Sequence, residues 1–172
     1  MSRYFFVLSL LIILVAASCT KKEEPLLTPL SSSTVSGKAL WNRIAVETHY
    51  KDYAYWPNHK GMQPGQAPHG VYHKIYVNSV LQKALPVKSR TAPDGSIIVK
   101  ENFDSTKKLT VITVMAKVRG YDAADNDWFW AKYSPKGKVL AEGAPASCIG
   151  CHEGMKSNDY IIVQPLDEPI SN

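Results

Sequence analysis

Four stretches of the chain carry the β-branched and aromatic residues that favour strands: VYHKIYV (71–77), SIIVKENF (96–103), LTVITVMAKV (109–118) and WFWAKY (128–133). Residues 39–48 follow a different period. Leu40, Trp41, Ile44 and Ala45 fall on one helical face, which predicts an amphipathic helix packed on the domain. Asn78 is placed to cap a short helix, SVLQKAL, that Pro86 ends. Pro93-Asp94-Gly95 and residues 123–127 read as turns, and strands joined by links this short are most simply antiparallel. Residues 51–70 hold Pro, Gly and Asn at short intervals and read as a long loop bearing His59 and His69. No internal repeat is visible.

The chain ends change the picture from one domain to three segments. Residues 1–18 combine Arg3, an apolar run from Tyr4 to Val15 and then small residues, the layout of a secretory signal peptide and too short an apolar run for a bilayer span. Ala16, Ala17 and Ser18 directly before Cys19 resemble the lipobox of bacterial lipoproteins, which implies that Cys19 becomes a lipid-modified first residue. The expectation is a periplasm-facing lipoprotein, tethered to membrane through its N-terminal lipid. Thr20 after the cysteine would direct it to the outer membrane in a Gram-negative cell. Residues 19–37 are rich in Ser, Thr, Pro and charge and read as a flexible tether. Residues 38–172 remain as one domain, long enough to bury a core.

Charge adds little: 20 Lys and Arg against 15 Asp and Glu give +5, and the lysines are scattered, so no nucleic-acid footprint is present. The 3 cysteines are more informative. Cys148, Cys151 and His152 form a Cys-x-x-Cys-His segment, in which two thiols can add to the vinyl groups of one haem while the next imidazole reaches the iron. This predicts one covalently held haem c, with His152 as axial iron ligand and no cysteine left for a disulfide. Zinc would need further ligands at tighter spacing than His59, His69 and His73 offer, and a thioredoxin-like dithiol would need a βαβ setting. The fold class expected is α+β: a mainly antiparallel β-sheet with a packed N-terminal helix and a C-terminal haem-bearing helix near Ala146–Met155. Met155 follows His152 too closely to reach the opposite side of the iron. Met62, Met115, His59, His69 and His73 remain open as residues of that side. Trp128 and Trp130 share a strand face and are read as core.

The order of these segments resembles the cytochrome P-460 family, small β-rich periplasmic c-type cytochromes related to cytochrome c-prime-beta. The resemblance spans about residues 39–165 and rests on A-P-H-G-V-Y-H-K-I-Y-V-N (67–78), D-G-S-I-I-V-K-E-N (94–102), T-V-M-A-K (113–117), D-W-F-W-A-K-Y (127–133) and C-I-G-C-H (148–152). In catalytic members a lysine of the V-K-E segment is bonded to the haem edge, which implies that role for Lys100. Strand alternation sets Lys100 with Ser96, Ile98 and Asn102, opposite Ile97, Val99 and Phe103, without saying which face meets a haem. Where those enzymes place an arginine before Y-V-N, this chain has His73. Where they carry a distal carboxylate on the strand ending M-A-K, it has Met115, whose thioether takes no proton.

The resemblance implies an oxidoreductase acting on hydroxylamine or nitric oxide at an open iron position and a redox-partner cytochrome receiving electrons. With Met115 in the carboxylate's place, His73 is the residue left to substitute as proton acceptor. Non-catalytic relatives instead bind nitric oxide or carbon monoxide in an apolar pocket. Met115 points toward that behaviour and Lys100 toward the first. A plain electron carrier, with a six-coordinate iron, is the third expectation. Relatives are commonly dimers, which makes a homodimer a further expectation.

Overall fold

The computed structural model describes residues 29–167. The signal-peptide and Cys19 readings lie outside that range. Among the described residues the centre is a single antiparallel sheet of β1 (Ala54–Tyr55), β2 (Gln63–Pro64), β3 (Tyr72–Val77), β4 (Ile97–Phe103), β5 (Leu109–Lys117), β6 (Trp128–Tyr133) and β7 (Val139–Gly143). The order is β1-β3-β4-β5-β6-β7, with β2 also paired to β3. Three helices accompany it: α1 (Gly37–Trp41), α2 (Ser79–Ala84) and α3 (Ala146–His152). The expected α+β class with a mainly antiparallel sheet is therefore the one observed.

Both faces of the sheet are covered, which is why Trp128, Phe129, Trp130 and Ala131 are buried in succession and β6 reads as an unbroken apolar run. One face packs Val99, Ile112, Val114, Phe129 and Tyr133 against Leu40 and Ile44 of the N-terminal helical segment. The other packs Ile75, Ile98, Met115, Trp128 and Trp130 against Trp56, Tyr160 and Ile161, with Cys148 and Ile149 of α3 half-buried on it. Fully burying one such large apolar side chain contributes about 1.5–3 kcal/mol.

Local chemistry fixes the ends of the elements. Asn78 Oδ1 accepts from Leu81 N at 3.2 Å and from Ile97 N at 3.0 Å, so one side chain caps α2 and starts β4. Ser36 Oγ caps α1 through Ala39 N at 3.1 Å. The expected helix over 39–48 differs in form: after Trp41 it widens into a π-type turn through Glu47, closed where Thr48 N and Oγ1 both donate to Arg43 O at 3.0 and 2.8 Å. Leu40 and Ile44 still share its buried face. Leu30 and Val35, in the stretch read as tether, also pack on this layer.

The loop over 51–70 is more structured than its composition implies. It supplies β1 and β2 as two-residue edges of β3, and Gly70, at φ +89, brings the chain so close to β4 that an added Cβ would lie 2.6 Å from Phe103 O.

Candidate haem site

Pro145 precedes α3, and its carbonyl accepts from Cys148 N at 2.9 Å and Ile149 N at 3.1 Å, opening a turn on which Cys148 and Cys151 stand one helical turn apart. Neither thiol is in a disulfide; Cys148 is half-buried and Cys151 exposed. Burial pushes the Cys148 thiol above its ordinary value.

His152 ends α3 with Nδ1 2.8 Å from Tyr160 O. A carbonyl only accepts, so Nδ1 carries the proton and Nε2 keeps a free lone pair, the form a metal requires. Burial lowers the imidazole pKa, the Tyr160 bond opposes that, and the Lys100 charge lowers it further. Trp130 meets the ring edge-on, with centroids 4.9 Å apart, and His69 approaches it at 6.2 Å.

Lys100 stands in the middle of β4, in register with Ile75 on β3 and Thr113 on β5. It lies on the face that carries α3, because its strand neighbours Ile97 and Val99 pack in the opposite layer. No carboxylate pairs with its Nζ among the described residues. Burial lowers its pKa. Its charge is felt at His69, His73 and His152, and the structure thus gathers Lys100 and the three imidazoles into one region.

His73 on β3 faces Asn102 on β4. Both His73 ring nitrogens, Asn102 Oδ1 and Trp130 Nε1 are buried without a hydrogen-bond partner. Buried polar atoms are nearly always satisfied, so unsatisfied atoms on the α3 face mark where a further group belongs. Desolvation first, then Lys100 and His59, lowers His73 to about 4; desolvation first, then Lys100, does the same to His69. Met115 is in register with Trp130 and lies in the same apolar layer as Cys148. His59 instead sits with Nδ1 3.1 Å from Pro57 O.

His69 is among the sequence candidates for the site, and the structure brings its ring to 6.2 Å from that of His152. Two features are not fixed by the sequence: the Tyr160 carbonyl on His152, and Trp130, read as core, as a wall against His152. The first depends on the return of residues 158–161 past α3 and the second on the packing of α3 over β6, neither of which any local spacing encodes. Among the described residues no helix is long and apolar enough to cross a membrane, and no group of three or more metal-ligating side chains is present.

A neutral imidazole with a free Nε2, two unpaired thiols one turn away, a half-buried amine and unsatisfied polar atoms on one apolar face fit a haem. The model of the family Cytochrome P460 matches residues 50–163, and the chain belongs to that family of haem cytochromes. Among curated proteins, none matches the chain.

Proposed function

We propose that the chain is an exported mono-haem c-type cytochrome that oxidises hydroxylamine or nitric oxide at an iron position opposite His152. Cys148 and Cys151 would hold the haem through thioethers, with His152 as axial ligand. Cys19 would carry the lipid that tethers the protein to the outer membrane, facing the periplasm. When bound, the haem supplies a site for the nitrogen-oxide substrate and takes up its electrons. This chain's residues do the rest. His152 holds its Nδ1 proton on Tyr160 O and so leaves the Nε2 lone pair free to hold the iron. His73, neutral at pH 7, accepts a proton from substrate, and the apolar layer around Met115 and Trp130 excludes water. Electrons leave to a partner cytochrome.

The observation that carries this reading is Lys100: a half-buried amine with its pKa lowered, paired with no carboxylate among the described residues, on the face that holds His152. Such an amine, held toward its neutral form, suits a nitrogen–carbon bond to the haem edge as in the catalytic relatives. That bond would replace an amine N–H and a haem C–H, with the two electrons and two protons released taken up by an oxidant such as a peroxide. Intact mass and optical spectra test it. Replacing both Cys148 and Cys151 by Ala is expected to leave one haem covalently attached, and Lys100→Leu on that background to remove it. A double-cysteine variant without covalent haem refutes the cross-link.

Met115 supports a second reading. Its thioether, 8% exposed, gives the site an apolar wall without a carboxylate. A protein that binds nitric oxide or carbon monoxide on ferrous iron, yet leaves hydroxylamine unchanged, would establish the gas-binding role instead.

A further inference from the structure

The carbonyl that orients His152 belongs to a strained piece of backbone. Asp159 and Tyr160 are consecutive left-handed residues, at φ +56 and +62. Asp tolerates that region, whereas a bulky Tyr rarely occupies it unless its surroundings impose it. The result is a turn that brings Tyr160 O to 2.8 Å from His152 Nδ1.

What imposes the turn is Asp159, which is fully buried and held from four other parts of the chain. Lys117 Nζ, at the end of β5, reaches Oδ1 at 2.6 Å and Oδ2 at 2.8 Å. Ala92 N donates to Oδ2 at 2.7 Å, and Asn126 Nδ2 to Oδ1 at 3.0 Å. Trp128 Nε1, on β6, donates to the Asp159 carbonyl at 2.9 Å, and the Lys117 ammonium lies 4.9 Å from the Trp128 ring centroid. Each carboxylate oxygen thus accepts two hydrogen bonds and the carbonyl a further one. A buried ion pair is weak evidence for stability, since apolar side chains of similar volume often serve as well. Here the pair fixes one backbone carbonyl, and that carbonyl selects the tautomer and orientation of the iron-binding imidazole.

We propose that Asp159, clamped by Lys117 and Trp128, is a positioning residue that sets the donor strength of His152 through the Tyr160 carbonyl. The inference rests on the reading of His152 as the axial ligand. A firm Nδ1–H bond to a carbonyl makes an imidazole a stronger electron donor and favours the oxidised metal; loosening it has the opposite effect.

The test uses the haem-loaded protein and reads the iron–histidine stretching frequency of the ferrous form by resonance Raman spectroscopy, together with the reduction potential. In Asp159→Asn and in Lys117→Met the frequency is expected to fall and the potential to rise, and Lys117→Arg is expected to restore both toward native values. Trp128→Phe removes the indole donor without changing charge, and it decides the matter where the charge variants fail to fold. Folded, haem-loaded variants with native frequency and potential overturn the inference while leaving the haem reading intact. A native protein whose iron shows no histidine stretch and carries no haem at Cys148 and Cys151 overturns both.

Discussion

His73 shows how one side chain can be prepared by its surroundings without being engaged by them. Its two nitrogens are shielded and unpartnered, and burial together with the Lys100 charge holds its pKa at about 4. It is therefore a neutral acceptor across the whole neutral range. If the chain oxidises hydroxylamine as proposed, so weak a base would contribute toward the lower end of general-base catalysis, and His73→Leu should slow that oxidation by about 10²-fold with haem content unchanged. Under that proposal the acid limb of turnover, where His73 would become protonated, should fall near pH 4 rather than near 6.5. Dye-coupled rates from pH 4 to 8 check both, and a His73→Leu rate equal to native removes His73 from the reaction. One position along from Lys100, Glu101 faces the other layer, 3% exposed, accepting from Tyr50 OH at 2.8 Å and Tyr76 OH at 3.1 Å. Removing one donor from a buried carboxylate by Tyr50→Phe should cost about 1.5–3 kcal/mol in urea unfolding. The alternation of Lys100 and Glu101 was legible in V-K-E-N. Which of the two would meet a haem was not, because that depends on where α3 packs.

At the scale of elements, the N-terminal helical segment is joined to the β6–β7 hairpin by contacts from both sides. Tyr133 OH donates to Gly37 O at 2.8 Å, and the Trp41 ring packs on Tyr133 with centroids 4.9 Å apart. Gly137, in the hairpin turn at φ +83, lies so close beneath Trp41 that an added Cβ would fall 2.2 Å from Cε2 of the indole. Gly137→Ala should therefore combine a left-handed backbone cost with overpacking, together about 2–4 kcal/mol. Thermal unfolding and Trp41 fluorescence would register it; an unchanged midpoint would mean that the segment is not docked through this turn. The four long strands and α2 were legible because their β-branched runs and the Asn78 cap are local signals. β1 and β2, two residues each, and β7, whose Leu140 is half exposed, carry no such signal and exist only through pairing with their neighbours. The π-type turn escaped detection for the same reason, since the apolar spacing of Leu40 and Ile44 suits an α-helix equally well.

For the molecule as a whole, the sheet separates a layer whose buried charge is the Glu101 carboxylate from one that buries the basic groups Lys100, His69 and His73, and that asymmetry should make the haem-free chain sensitive to acid. His69 and His73 have folded pKa values of about 4, below the ordinary 6.5, mainly because burial disfavours their charged forms. Between those limits the unfolded chain binds more protons than the folded one. Stability is then fully present above about pH 6.5, declines as pH falls, and has lost this contribution below about 4. Lys100 acts in the same direction, since burial lowers its pKa and its charge opposes protonation of both histidines. Replacing it by an apolar side chain of similar length removes a charge that the folded layer holds at a cost. In the haem-free chain, Lys100→Met should raise stability at pH 7 by about 1 kcal/mol, within the usual range for a single stabilising substitution. It should also flatten the decline between pH 6.5 and 4, because the histidines lose a repelling neighbour. Urea midpoints at pH 7 and pH 5 measure both effects. A less stable Lys100→Met chain would mean that the amine has a favourable partner in this layer, and that its retention is structural and not a concession to the chemistry of the site.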